Sequence, residues 1–68
     1  MDSRSTGFVH SFNRTGGYGF VVPVGSHEQV YFSAADIEGE ERSLSEGQQV
    51  SFVLVLGEGR FEARELRV

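Results

Sequence analysis

Glycine-rich breaks divide this chain of 68 residues into short runs of β-branched and aromatic residues. Runs of this kind, bounded by turn residues, are typical of β-strands. Five short strands in so small a chain favour a closed Greek-key barrel, because closure removes the exposed strand edges at which open sheets aggregate. We therefore predict an all-β protein with strands over residues 8–12, 18–24, 29–32, 50–56 and 61–68.

The length of the chain limits the architecture to one small domain, and the chain contains no cysteine. No disulfide or cysteine-based metal site is available to stabilise it. The two histidines, His10 and His27, are well separated and do not form a zinc cluster, so we expect no metal and no cofactor. We expect residues 1–5 to form a flexible N-terminus and residues 6–68 to form the domain.

Neither a membrane span nor an export signal is visible in the sequence. No apolar run approaches the roughly 20 residues that cross a bilayer, and the N-terminal MDSRSTG lacks the apolar core of a secretory signal. We expect a cytoplasmic protein. No serine, histidine and acid form a recognisable catalytic set. Gly17-x-Gly19 is followed by a strand, not by the helix that a phosphate loop requires, so we predict that the protein is not an enzyme.

Alternation along the predicted strands separates an inner face from an outer face, because side chains at i and i+2 share a face. One apolar set is predicted to face inward: Val9, Val21, Val30, Phe32, Val50, Phe52 and Leu54. Ile37, Leu44 and Leu66 are expected to close the barrel ends. After the third strand, residues 33–36 (Ser-Ala-Ala-Asp) fit a capping box, which predicts one short helical turn.

The stretch GGYGFVV, residues 16–22, places two rings on one face of the second strand. Tyr18 and Phe20 share that face, and only Gly19 lies between them on the other. Tyr31 of the third strand falls on the same side, which we predict to be the outer one. From the residues alone, these rings either cover an apolar patch or form a surface on which something flat can stack.

These segments together resemble the cold-shock protein family over nearly the whole chain. Gly-Tyr-Gly-Phe-Val at residues 17–21 is similar to the family's first ribonucleoprotein motif, and Val-Tyr-Phe at residues 30–32 to its second. Glu-Gly-Gln-Gln-Val-Ser-Phe at residues 46–52 adds a third matching stretch. The resemblance implies a five-stranded antiparallel barrel of the oligonucleotide-binding (OB) type. It also implies binding of single-stranded RNA or DNA, with an RNA chaperone role in a stress response as one form of that activity.

The resemblance carries base stacking over to four rings: Phe12, Tyr18, Phe20 and Tyr31. His10 replaces a basic residue of the family. Two interpretations of this residue are open: it contacts a base or phosphate, or it is an exposed histidine with no special role. Three guanidinium groups can compensate for missing lysines, since guanidinium both pairs with phosphate and stacks. They belong to Arg14, Arg42 and Arg60.

Several features of the family's binding face are missing. The segment His-Ser-Phe-Asn at residues 10–13 stands where the family has Lys-Trp-Phe-Asn. Gly16 replaces a lysine, and residues 33–34 (Ser-Ala) replace a His-Phe pair. The net charge of −4, with no lysine, argues mildly against a nucleic-acid partner. Each stacked base contributes about 1–3 kcal/mol, so we expect weak binding with a short footprint and a steep salt dependence.

A second interpretation rests on apolar residues at positions where alternation calls for polar ones. Val53, Val55 and Leu56 of the fourth strand are of this kind, as are Val22 and Val24 of the second. Extra apolar surface can mark a protein contact. The alternative function is therefore a barrel repurposed for protein–protein contact, or for homodimerisation through Val53, Val55 and Leu56. The alternative interpretation, that a loop or the C-terminal strand covers these apolar residues, is equally open.

Overall fold

The strands of the protein close into one barrel. The computed structural model describes residues 4–39 and 44–68. Within them lie β1 (Arg4–Asn13), β2 (Tyr18–Pro23), β3 (Val30–Ser33), a 3₁₀ turn (Ala34–Asp36), β4 (Gln49–Leu56) and β5 (Phe61–Arg67). Neighbours around the ring follow the order β1-β2-β3-β5-β4. The predicted all-β fold and its five strands are confirmed.

The first strand is the longest because it pairs with two neighbours. Its first part, Arg4–Phe8, runs antiparallel to β4, and its later part, Gly7–Asn13, runs antiparallel to β2. A bulge between Val9 and Ser11 interrupts the second pairing, and bulges of this kind bend a strand. The barrel wall therefore includes the end of the segment that we expected to be a flexible N-terminus (residues 1–5).

One pairing differs from the antiparallel barrel that we expected. β3 and β5 run parallel, with Tyr31 opposite Glu62, whereas the other four pairings are antiparallel. The odd number of strands is the reason. In a closed ring of five strands the directions cannot alternate all the way round, so at least one pair of neighbours must run parallel.

The interior contains the apolar set that alternation predicts, with one exception. The core consists of Val9, Val21, Val30, Phe32, Ile37, Val50, Phe52, Ala63 and Leu66. Leu44 is partly buried against this core, and Ile37 forms a bridge with Leu66, as predicted for residues that close the barrel. Ala63 was not predicted, because alanine carries little hydrophobic signal of its own.

The exception is Leu54, which we predicted to face inward but which is 37% exposed. Arg4, the first described residue of β1, pairs with Val53, and β4 and β5 stay paired to Leu56 and Phe61. Leu54 thus lies on the part of β4 that leads toward the tip of the β4–β5 hairpin. Alternation identified the correct face of the strand but did not predict that this part of it is exposed.

The 3₁₀ turn begins with the capping box that the sequence predicts. The hydroxyl of Ser33 accepts a hydrogen bond from the amide of Ala35 at 3.3 Å. The carboxylate of Asp36 accepts one from the amide of Ser33 at 3.4 Å. The turn leads directly into Ile37 and so connects β3 to the closed end of the barrel.

Over residues 4–39 and 44–68, no helix is long and apolar enough to cross a membrane.

Two leucine-to-alanine substitutions test this account of the core. Leu66 is fully buried, so Leu66→Ala should lower the free energy of unfolding by about 2–5 kcal/mol through lost burial and a residual cavity. Leu54→Ala should lower it by only about 1 kcal/mol, because much of that side chain already contacts water. Urea unfolding followed by circular dichroism measures both. Equal losses at the two positions would place Leu54 inside the core and contradict the barrel end described above.

Candidate functional site

Three rings pack against one another on the outer surface of β2 and β3. Phe20 lies opposite Tyr31 across the two strands, and Tyr18 shares the outer face of β2. The ring centroids are 6.4 Å apart for Tyr18–Phe20, 6.2 Å for Tyr18–Tyr31 and 6.0 Å for Phe20–Tyr31, the spacing of favourable aromatic pairs. Tyr18 is 37% exposed, and the other two are half-buried. We call these three residues the aromatic cluster.

A glycine on the inner side of β2 explains why the rings face outward. A Cβ added to Gly19 would lie 2.5 Å from the backbone oxygen of Ser11 and 2.7 Å from Cζ of Phe32. Phe32 lies opposite Gly19 and is fully buried, so its ring occupies the space that a side chain at position 19 would need. Position 19 therefore accepts no side chain on the inner face, and alternation places Tyr18 and Phe20 on the outer face, as predicted.

Phe12, the fourth predicted stacking residue, lies on the other side of the wall. It is opposite Gly19, and its ring stacks on that of Phe32 with centroids 5.8 Å apart and planes within 6°. Phe12 is half-buried against the core. The bulge of β1 is the reason, since one extra residue reverses the alternation that would have turned Phe12 outward. The structure thus brings together three of the four predicted rings.

The loop between β1 and β2 holds the ring of Tyr18 in place. The side-chain oxygen of Asn13 accepts a hydrogen bond from the amide of Gly16 at 2.8 Å, and its Nδ2 donates to the Tyr18 hydroxyl at 3.3 Å. Its backbone oxygen accepts from the amide of Gly17 at 2.8 Å. A Cβ added to Gly16 would lie only 2.5 Å from Cε2 of Tyr18. The ring therefore lies against the bare backbone of Gly16.

One predicted cation contacts the aromatic cluster directly. The guanidinium carbon of Arg60 lies 4.3 Å from the centroid of the Tyr31 ring, a cation–π contact. Its Nε is 3.7 Å from the carboxylate of Glu62. Arg60 therefore adds a planar cation to the edge of the cluster, although a carboxylate partly neutralises its charge.

The other predicted polar contacts are more dispersed. His10 is exposed and is the extra residue of the β1 bulge, next to Ser11, which lies opposite Phe20. Arg14 is exposed in the loop that follows β1. Arg42 lies outside the described residues. Of the three predicted arginines, the structure brings Arg60 to the aromatic cluster.

Two further arginines of β5 are engaged by carboxylates of the protein itself. Arg64 donates a hydrogen bond to Glu62 at 3.1 Å and lies 3.8 Å from the carboxylate of Asp36. The hydrogen bond with Glu62 and, next, the charge of Asp36 raise the pKa of the Arg64 guanidinium above its ordinary value. Arg67 pairs with Glu38. These pairs reduce the positive potential that β5 offers to a phosphate.

Two exposed phenylalanines were missed by sequence reasoning. Phe61 is 56% exposed at the start of β5, and Phe8 is 46% exposed on β1. Phe61 lies opposite Leu56 at the tip of the β4–β5 hairpin. The sequence signal that could have found it is the Gly-Glu-Gly-Arg turn at residues 57–60, since a ring directly after a hairpin turn lies at the end of the sheet.

The apolar residues behind the predicted homodimer surface differ in their exposure. Val53 and Val55 are half-buried. Val53 lies between Arg4 of β1 and Arg64 of β5 in the sheet, so charged side chains flank it. Leu56 is 72% exposed. Among the residues predicted for this surface, Leu56 is therefore the one that the structure leaves most open to a partner.

Comparisons with known proteins agree on one family. Residues 5–68 match the family described as the 'Cold-shock' DNA-binding domain. Over 69 aligned residues the chain is 41% identical to the cold shock protein CapB of Pseudomonas syringae pv. tomato and 38% identical to the major cold shock protein CspA of Pseudomonas aeruginosa. Both alignments cover 100% of this chain and 99% of the relative. A solved structure, Drosophila Unr CSD456, has the same fold with a TM-score of 0.79 at 22% identity, over 96% of this chain and 26% of the longer one.

A methyl group at position 16 tests how the loop positions Tyr18. Gly16→Ala should displace the Tyr18 ring, because the new Cβ would lie 2.5 Å from Cε2 of that ring. The ring can turn toward solvent, so the free energy of unfolding should change by less than about 1 kcal/mol. Aromatic NMR spectra should show shifted Tyr18 resonances and weaker contacts with Asn13. Thr15→Ala, an exposed change in the same loop, is the control, and unmoved Tyr18 resonances in Gly16→Ala would refute this account.

Proposed function

The chain belongs to the cold-shock domain family, and we propose that it binds single-stranded RNA or DNA by stacking bases on the aromatic cluster. The family generally binds nucleic acid. The observation that supports this function most directly is the mutual packing of Tyr18, Phe20 and Tyr31 on the outer surface of the barrel. Every nucleobase has a flat π face, so such a surface accepts bases with little regard to their sequence.

The cluster suits this role because its rings are already ordered. Each ring contacts the other two, and Asn13 holds Tyr18 by a hydrogen bond. A base that stacks on such rings orders few protein side chains, which lowers the entropic cost of binding. Bases held on the protein cannot pair with one another. Binding therefore shifts weak RNA hairpins toward their open form, which is the activity of an RNA chaperone. The predicted location of the protein is the cytoplasm.

The affinity should be low for two reasons. Phe12 stacks on Phe32, so one face of its ring is already covered. Arg60, which contacts the cluster, lies beside the carboxylate of Glu62, which reduces the positive potential that it offers to a phosphate backbone. Binding then relies on a few stacked bases at about 1–3 kcal/mol each, and the footprint should be short.

Removing two rings of the cluster tests the proposal. Tyr18→Ala combined with Phe20→Ala should weaken binding of a fluorescently labelled pyrimidine-rich oligonucleotide by about 25-fold to 2 × 10⁴-fold, the loss of two stacked bases. Fluorescence anisotropy at low and moderate salt measures the dissociation constants. Unfolding in urea should show that the barrel remains stable, since both side chains lie on its outer surface.

The matched control keeps both rings. Tyr18→Phe combined with Phe20→Tyr preserves two π faces and should bind within about threefold of the original chain. If the original chain shows no binding at low salt, or if the double alanine variant binds as tightly as the original, the proposed function is wrong.

A second candidate function is protein contact, favoured by two exposed leucines on one face of β4. Leu54 is 37% exposed and Leu56 is 72% exposed, and side chains two apart share a face of a strand. Val53 and Val55, which the sequence predicts for the homodimer surface together with Leu56, lie on the other face of β4 and are half-buried. An apolar end on a small barrel is the kind of surface through which two copies can associate.

Sedimentation equilibrium tests this second candidate. The homodimer hypothesis requires a dimer whose population rises with protein concentration. Leu56→Glu should weaken that dimer by more than about tenfold, because two like charges would face each other across the contact. Val53→Glu combined with Val55→Glu should act in the same direction. Val68→Glu, at a position that is 81% exposed, is the control. A monomer at every concentration rules the homodimer out.

A further inference from the structure

Phe61 is a large exposed ring that belongs neither to the core nor to the aromatic cluster. It begins β5, is 56% exposed and lies at the tip of the β4–β5 hairpin, opposite Leu56. Its chain neighbour Arg60 reaches the ring of Tyr31 at 4.3 Å. The hairpin therefore brings a further ring to the border of the cluster, on a strand that carries neither of the two family motifs.

Phe61 and two residues of the aromatic cluster line one surface groove of about 460 Å³. Phe20 and Tyr31 contribute from β2 and β3, and Arg60 and Phe61 contribute from the hairpin. The volume lies in the range of sites that hold small organic ligands. Aromatic faces beside a planar guanidinium suit a flat heteroaromatic ring, because both groups stack favourably on it.

We propose that this groove is a separate base-binding subsite, in which a nucleobase stacks on Phe61 beside the guanidinium of Arg60. The inference rests on the proposed function, since the base belongs to a strand that already occupies the aromatic cluster. It extends the path of that strand from β2 and β3 to β5. A ring at position 61 then adds to the stacking capacity of the cluster, whereas Phe12 is stacked on Phe32.

The charges around the groove favour a neutral base over a phosphate. Glu28 lines the groove, and the Nε of Arg60 is 3.7 Å from the carboxylate of Glu62. A phosphate would approach these carboxylates, whereas a base carries no net charge to be repelled. The subsite should therefore add stacking energy without adding salt dependence, which phosphate contacts would steepen.

Binding of an oligothymidine of about eight nucleotides, within the site sizes of OB barrels, provides the test. Phe61→Ala should weaken binding by about 5- to 150-fold, the loss of one stacked base. The slope of log affinity against log salt should stay unchanged. Phe61→Tyr keeps the ring and should bind like the original chain. Phe8→Ala removes another exposed phenylalanine, one that does not line the groove, and should change affinity by less than about twofold.

Aromatic NMR of the original chain gives a second, independent measurement that needs no variant. The ring resonances of Phe61 should move on addition of the oligothymidine, together with those of Tyr18 and Tyr31, because a stacked base imposes its ring current on its neighbours. This measurement decides the matter even if Phe61→Ala does not fold.

The outcomes separate this subsite from the function on which it rests. Unmoved Phe61 resonances, or a Phe61→Ala variant of unchanged affinity, overturn the subsite while leaving stacking on Tyr18 and Phe20 intact. Absence of binding by the original chain overturns both. A Phe61→Ala variant that loses a dimer but keeps its affinity for the oligothymidine also overturns the subsite and assigns the ring to contact between two copies.

Discussion

The stack of Phe12 on Phe32 across Gly19 is the contact on which the position of the aromatic cluster depends. Gly19 lies between the two residues in the sheet, opposite one on each neighbouring strand, and its missing side chain is what lets the rings meet at 5.8 Å. Because this stack occupies the inner side of β2 at position 19, the neighbouring rings of Tyr18 and Phe20 lie outside. The contact has a second consequence, since it uses Phe12 for packing. One arrangement thus both creates the aromatic cluster and limits its size.

The loop before β2 also accommodates an aromatic ring at a position where the resembled family has a charged side chain. Position 16, where the resembled family has a lysine, is a glycine against which the Tyr18 ring lies. A side chain there would add charge but displace the ring. Arg60 lies over Tyr31 and beside Glu62, so it too contributes more to the π surface than to phosphate attraction. On the proposed function, the aromatic cluster would therefore favour neutral stacking partners, in keeping with the net charge of −4.

Local patterns predicted what local physics determines. Period-two alternation placed Tyr18 and Phe20 outside and Val21 inside, and the capping box at residues 33–36 followed from four residues alone. The errors arose where contacts with strands distant in sequence determine which side chains are buried. The bulge in β1 reversed the face of Phe12, and Leu54 is exposed although it alternates in phase with the buried Phe52. Neither of these departures leaves a signal in the affected residues themselves.

The β4–β5 hairpin joins the two proposed contact surfaces. It exposes Leu56 on one strand and Phe61 on the other, and its turn carries Arg60 to Tyr31. The aliphatic side chain of Leu56 suits an apolar protein partner. Phe61 shares a groove with Phe20 and Tyr31, so it suits a base. Because Leu56 and Phe61 lie opposite each other at the tip of the hairpin, a protein partner on Leu56 would also approach Phe61, and the proposed dimer contact and the proposed base subsite would compete for this tip.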